Sequence, residues 1–307
     1  MIHLTDDRID RALQGADIVD TLARAFAAFS RGEAAMQERV RTESGPVKLS
    51  TMGGVWPAEG FAGAKVYTTI AGRFNFVIAL FSATTGEPLA TLEANALTRW
   101  RTAAVSVLAA RALANPDASR LALFGTGVQA HAHARAFARA FPMESLRVVS
   151  RSGGEEFAAR LRAELGLDVR LASAREALEG ADLVVTATRS DSPLFAGDAV
   201  ESGAFVAAVG SSKPDTREVD DTLLARSRAI VVEWRSQAMR EAGDLVLAAP
   251  SVLSKVPVVE LGDVIAGKAR VRETPDDIVV FKSVGVGLED VAVAGLAWQR
   301  ATAQGLR

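Results

Sequence analysis

Three cations in the first third of the chain have settings that suit chemistry: Arg41, Lys65 and Arg101. Lys65 lies in Gly63-Ala-Lys-Val-Tyr67, inside an apolar strand pattern. An ammonium group there must snorkel, find a counter-ion or serve a site. Arg101 opens Arg101-Thr-Ala-Ala-Val-Ser-Val-Leu-Ala-Ala110, an otherwise apolar helical stretch. The helix dipole disfavours a cation at an N-terminus. One that stays there is easier to explain if it binds an anion such as a substrate carboxylate. Guanidinium groups recognise carboxylates through paired hydrogen bonds, and a desolvated ammonium can donate a proton. Structural salt bridges are the commoner use of such residues, so spacing alone leaves both uses open.

A second chemistry is written in Leu121–Arg151. The apolar run Leu121–Phe124 precedes Gly125-Thr126-Gly127-Val128-Gln129-Ala130, a G-x-G-x-x-A turn. Helical spacing follows from Val128 to Phe141, with Ala132, Ala136, Phe137 and Ala140 on one side, and Arg147–Val149 reads as the next strand. Strand, turn, helix and strand in roughly 30 residues are the plan of a dinucleotide-binding unit. Gly125 permits the tight turn, Gly127 lets a pyrophosphate approach the backbone, and Ala130 lets the helix pack close to the strand. The second strand ends Ser150-Arg151-Ser152 where an acidic residue would favour NAD. A guanidinium flanked by two hydroxyls suits a 2′-phosphate, so NADP(H) is the preferred cofactor and NAD(H) the other possibility.

Composition removes other classes. The 307 residues carry a net charge of −2, are 49% hydrophobic and include no cysteine. Disulfides, zinc–thiolate sites, Fe–S clusters and thiol nucleophiles are thereby excluded. No basic stripe with interleaved aromatics invites nucleic acid, and no apolar run approaches the ~20 residues of a membrane span. The charged start MIHLTDDRIDRAL has no signal-peptide apolar region, so a cytoplasmic protein is expected. His131 and His133 point about 200° apart on a regular helix and cannot grip one ion, so no metal site is expected. Glu289 and Asp290, at the start of the last helix, read as charges complementing its dipole.

The elements that position these residues fall into two groups. Residues 5–33 have helical spacing, with Gly15 dividing two helices and Asp17 a cap for the second. Strands are predicted at Val47–Met52, Gly63–Thr68, Phe76–Ser82 and Leu89–Glu93, with a hairpin turn at residues 84–88. From 118 to 280, strands and helices alternate as in a doubly wound parallel sheet, whose ligand crevice lies at the strand carboxyl ends. Thr186, Thr188, Val209 and Lys282 belong to that rim. A C-terminal helix around Val291–Trp298 could return to the first region. The fold class is therefore α/β: a Rossmann-type nucleotide-binding domain, 116–285, and an α+β substrate and dimerisation domain, 1–115, joined by the C-terminal helix 286–307.

Several stretches together resemble the ornithine cyclodeaminase/mu-crystallin family. They are Lys65 within GAKVYTT, TGEPLATLEANALTRWRTAA (85–104), GTGVQA (125–130), VGSSKPDTREVDD (209–221) and VVFKSVGVGLED (279–290). The resemblance implies a homodimer whose second domain is built from both chain ends. It also implies that Arg41, Lys65 and Arg101 are the substrate-carboxylate and catalytic-pocket cations, with Lys65 and Arg101 catalytic. Cyclodeaminases place a catalytic aspartate in the loop where this chain has Ser212, counted here with the substrate-binding residues. They have acidic residues where this chain has Lys282 and Ser150-Arg151. These departures are similar to the NADPH-dependent Δ1-pyrroline-2-carboxylate (cyclic ketimine) reductases. The implied activity is reduction of a small cyclic imino acid, with ornithine cyclodeamination or turnover-free ligand binding as alternatives.

Overall fold

The computed structural model describes residues 1–305. It contains two compact units: Met1–Val105 together with the stretch from Gly285 onward, and Ser106–Val284. The division falls inside a helix rather than at residue 115.

The first unit is built on a six-stranded sheet. Its strands are β1 (Ile2–Leu4), β2 (Ala35–Ser44), β3 (Val47–Trp56), β4 (Phe61–Ile70), β5 (Arg73–Ser82) and β6 (Pro88–Glu93), in the order β1-β6-β5-β4-β3-β2. All neighbours are antiparallel except β1 and β6. Period-two alternation sorts the side chains. Met52, Lys65, Ile78 and Leu92 form one cross-strand row, all buried on the inner face. Val66 and Val77 point the other way and stay exposed.

The inner face is covered by α1 (Asp6–Leu13), α2 (Ile18–Ser30) and the C-terminal helix α12 (Gly287–Ala303). The Asp17 carboxylate caps α2 by accepting the Asp20 N–H at 3.0 Å. Glycine lets the start of α12 approach the sheet. A Cβ on Gly287 would lie 2.1 Å from the Gly53 carbonyl oxygen, and one on Gly54 would lie 2.9 Å from Leu288 Cα. Real Cβ contacts are longer, so any side chain at these points would push the helix away.

Helix α3 (Asn95–Leu113) corrects one expectation. It begins six residues before Arg101, because the Asp6 carboxylate accepts the Ala96 N–H at 2.7 Å and the Asn95 amide at 2.9 Å. Arg101 is therefore well inside the helix, and the dipole does not act on it as on a first-turn residue. Strand β2 was not predicted either; its mixed sequence AMQERVRTES has no apolar alternation.

The second unit is an eight-stranded, wholly parallel sheet in the order β13-β12-β14-β11-β10-β7-β8-β9. The strands are β7 (Arg120–Phe124), β8 (Ser145–Val149), β9 (Asp168–Leu171), β10 (Leu183–Thr186), β11 (Phe205–Ala208), β12 (Ser227–Val232), β13 (Val258–Glu260) and β14 (Ile278–Lys282). β10, β11 and β14 are buried along their whole length. That is why they read as continuous apolar runs, as strands covered on both faces must. Helices α4 (Val128–Ala140), α5 (Gly154–Leu165) and α6 (Ala174–Leu178) connect the first strands. The short helices α7 (Asp221–Arg226), α8 (Arg235–Glu241), α9 (Gly243–Val246), α10 (Pro250–Leu253) and α11 (Leu261–Ile265) fill the later crossovers. Among the described residues no helix is long and apolar enough to cross a membrane.

Candidate active site

In the first unit, β4 carries Lys65 to the inner face, where its side chain is 2% exposed. Nζ lies 2.9 Å from Asp290 Oδ1 and 3.4 Å from Thr98 Oγ1. It also lies 5.0 Å from the Phe76 ring centre and 6.0 Å from that of Tyr67. Burial pulls its pKa down from 10.5 to about 8; Asp290 works against that shift, while Arg101 and Arg39 add to it. An ammonium of that acidity can give up a proton near neutral pH.

Arg101 shares the same counter-ion. Its Nη1 donates to Glu289 Oε2 at 2.9 Å, and its Nε lies 3.2 Å from Asp290 Oδ1. Both carboxylates are fully buried. This corrects the reading of Glu289 and Asp290 as charges serving only the helix dipole. They stand in the first turn of α12, but they are the buried partners of two cations. Their partners lie 188 and 225 residues away in sequence, beyond the reach of any local pattern.

Arg39 also belongs here, and sequence reading missed it. Its Nη2 donates to the Gly285 carbonyl at 2.9 Å and its Nε approaches Met52 Sδ at 3.3 Å. Arg41, two residues on, is half-buried and stands opposite Ser50 on β3. The structure thus joins Lys65 to Arg101 through Asp290 and places Arg41 on the same sheet, two strands from Lys65.

In the second unit, the glycine turn links β7 to α4. Gly125 has φ +113°, and a Cβ there would lie 2.7 Å from the Ala187 carbonyl. Gly127 is the N-cap of α4 with no side chain capping the helix, and no atom lies within 4 Å of where its Cβ would be. Val128 is exposed, Thr126 and Gln129 are half-buried, and Ala130 is buried under the helix. Uncapped first-turn N–H groups beside open space fit a dinucleotide pyrophosphate. At the end of β8, Ser150 Oγ donates to the Ser152 carbonyl at 2.5 Å and accepts its N–H at 3.2 Å, while Arg151 is exposed.

Two expected cofactor residues do something else. Thr186 is fully buried, and its hydroxyl donates to Glu218 Oε2 at 2.8 Å. Lys282 is fully buried, donating to the Ser211 carbonyl at 2.6 Å and pairing with Asp244 Oδ2 at 2.8 Å. Both side chains brace the loop after β11. The bracing centres on two carboxylates that sequence reading missed. Glu218 accepts from the Thr188 N–H (2.8 Å), the Thr188 hydroxyl (2.6 Å) and the Gly210 N–H (2.7 Å). Asp244 accepts the Glu218 and Val219 N–H groups at 2.7 and 2.9 Å. Burial opposes ionisation of Asp244, but Lys282 and these amides outweigh it and hold its pKa below the usual carboxylate value. Val209 and Ser212 are half-buried on the same loop, and the Val209 N–H donates to the Thr186 carbonyl at 2.9 Å.

The histidines are not a metal pair. His131 contacts Glu164 at 2.7 Å, and buried His133 lies 2.7 Å from the Gln129 carbonyl and 3.0 Å from Ser106 Oγ. Among the described residues no group of three or more acidic or histidine side chains could hold a metal ion.

A model of the ornithine cyclodeaminase/mu-crystallin family matches residues 2–305. The chain belongs to this family. It is 34% identical to the mouse (Mus musculus) ketimine reductase mu-crystallin over 298 residues, covering 92% of this chain and 91% of the mouse protein. Its fold superposes on Thermococcus litoralis Δ1-pyrroline-2-carboxylate reductase in complex with NADH and L-proline with a TM-score of 0.93 and 27% identity, over 99% of this chain and 98% of the other. It is also similar to a "probable ornithine cyclodeaminase" from Bordetella pertussis Tohama I, with a TM-score of 0.97 and 54% identity over 99% and 98% of the two chains.

Proposed function

We propose that this family member is an oxidoreductase that reduces the C=N bond of a small cyclic imino acid. The substrates we assign are Δ1-pyrroline-2-carboxylate and Δ1-piperideine-2-carboxylate, giving L-proline and L-pipecolate. The observation that carries this reading is Lys65: a buried ammonium with a pKa of about 8, in contact with a carboxylate that also holds Arg101. Arg101, helped by Arg41, binds the substrate carboxylate and orients the ring. Lys65 gives a proton to the imine nitrogen, because a protonated imine accepts hydride far more readily. The turn Gly125–Ala130 holds the dinucleotide, and Arg151 with Ser150 and Ser152 favours the 2′-phosphate of NADP(H) over NAD(H). Bound there, the reduced nicotinamide supplies the hydride. The similarity to mouse ketimine reductase and to the archaeal pyrroline-2-carboxylate reductase supports the same chemistry.

A second reading, ornithine cyclodeamination, is favoured by the likeness to the Bordetella protein. It requires a carboxylate base in the loop after β11, where this chain has Ser212. The deciding assay follows nicotinamide absorbance with each imine and NADPH or NADH, beside ornithine with NAD. Rapid imine-dependent oxidation of reduced cofactor is expected. Silence with both imines, with proline and ammonia formed from ornithine, would replace the first reading by the second. Tight cofactor binding with no turnover at all would favour a ligand-binding protein.

We assign self-association to the outer face of the six-stranded sheet. Val40, Thr51, Val66 and Val77 form one row there and Val55, Ala62 and Phe81 another, and the valines and Phe81 are 38–54% exposed. Contiguous apolar surface of this kind marks an interface. A homodimer is expected by light scattering, and Val66→Glu should dissociate it.

A further inference from the structure

The carboxylates of α12 have no chemical role in the reading above, yet each pairs with one of its cations. Asp290 offers one oxygen, Oδ1, to both Lys65 Nζ at 2.9 Å and Arg101 Nε at 3.2 Å. Glu289 Oε2 accepts from Arg101 Nη1 at 2.9 Å. We propose that Asp290 is a positioning residue that fixes the proton donor against the carboxylate-binding arginine and keeps Lys65 charged, while Glu289 orients Arg101. The inference rests on Lys65 as the acid of the proposed reduction.

The groups facing Lys65 come from each element packed on it. α12 brings Asp290 and Glu289, α3 brings Arg101 and Thr98, and β2 brings Arg39. β4 itself brings Tyr67 and β5 the Phe76 ring, while Met52 on β3 is uncharged. Burial, Arg101 and Arg39 press Lys65 to lose its proton, and Asp290 is the group that counters this pressure. Neutralising Asp290 removes the attraction and leaves the repulsion, so Lys65 must deprotonate at lower pH. Neutralising Glu289 changes the arginine's hold instead. The two neighbouring acids should therefore fail in different ways.

The test compares Asp290→Asn and Glu289→Gln in the full chain with its cofactor. Wild-type kcat/KM for the imine should fall as pH rises through about 8, where Lys65 loses its proton. In Asp290→Asn the fall should begin on the order of one pH unit lower. In Glu289→Gln the fall should stay in place while KM for the imine rises. Asp290→Ser, smaller and also uncharged, carries the same expectation where the first variant does not fold. A substrate-free readout separates the two claims: NMR titration of isotope-labelled lysine, with the Lys65 signal identified by its loss in Lys65→Met. A lower midpoint in the Asp290 variant supports the pairing even where no imine is reduced, in which case the reductase reading alone fails. Equal midpoints in wild type and variant would overturn the proposal whatever the turnover.

Discussion

In the first unit the buried charges sit on regular elements: Lys65 within β4, Arg101 inside α3, Glu289 and Asp290 in the first turn of α12. In the second unit several lie where strands end and in the connections beyond: Lys282 closes β14, Glu233 follows β12, Glu218 lies on the loop after β11, and Asp244 in the short helix α9 reaches back to that loop. The first arrangement interrupts a core with ions, and such pairs are costly to desolvate. The second leaves the parallel strands apolar and uses charge to fasten loop backbone. A charge in a core needs a reason beyond stability, because apolar packing is often as stable as a buried ion pair. A charge that ties down loop amides has its reason in those amides.

The contrast is most sharply broken or upheld at Lys65. Lys65→Met should lower kcat by about 100- to 10,000-fold, the usual worth of a positioned acid, with cofactor affinity nearly unchanged. Undiminished turnover would reduce Lys65 to a structural ion. Stability against pH gives the next largest effect. Burial lowers the pKa of His133 from 6.5 to about 4. The unfolded chain then binds a proton below pH 6.5 that the folded chain refuses until about 4. Stability contributed by neutral His133 is complete above 6.5 and lost as pH falls through this window, by up to about 3 kcal/mol. Lys65 works at the other end: its folded pKa of about 8 lies below the unfolded 10.5, so its contribution to stability grows as pH rises between these values. Denaturant midpoints across pH, compared with His133→Gln and Lys65→Met, should show one acid and one alkaline difference. Coincident curves would mean that neither side chain is held as described.

A smaller effect is expected at the loop brace. Glu218→Gln sets an amide against backbone and hydroxyl donors and should cost about 1–3 kcal/mol of stability. Here KM for the nicotinamide cofactor should rise more than KM for the imine, the reverse of a lesion in the first unit. The smallest change belongs to exposed Arg151: Arg151→Ala should reduce the preference for NADPH over NADH by roughly tenfold in kcat/KM. An unaltered ratio would leave the cofactor choice to other groups.

The same contrast governs what could be read from sequence. All of the parallel strands except β13 are legible in the sequence to within a residue or two, because strands buried on both faces are bare apolar runs between loops. The glycine turn was legible because backbone geometry demands its residues. Strand β2 escaped because one polar sequence serves an edge strand, and β13 with the short helices of 235–265 escaped because none is long enough to show a period. Lys65 drew attention as a charge in an apolar strand. Asp290, its partner, looked ordinary in a helical first turn where acids are expected. Glu218 and Asp244 left no signal; their chemistry lies in which amides they meet.

Helix α12 is also late in time. It is the last described element to leave the ribosome, after all of residues 106–284, and both acids that balance Lys65 and Arg101 ride on it. While the nucleotide-binding unit can condense during synthesis, the cations of β4 and α3 must wait in water for their partners. A chain halted before Gly287 would possess its glycine turn while Lys65 and Arg101 lacked their buried partners, so the order of synthesis leaves the nucleotide-binding unit made first and the cation cluster unbalanced until α12 follows.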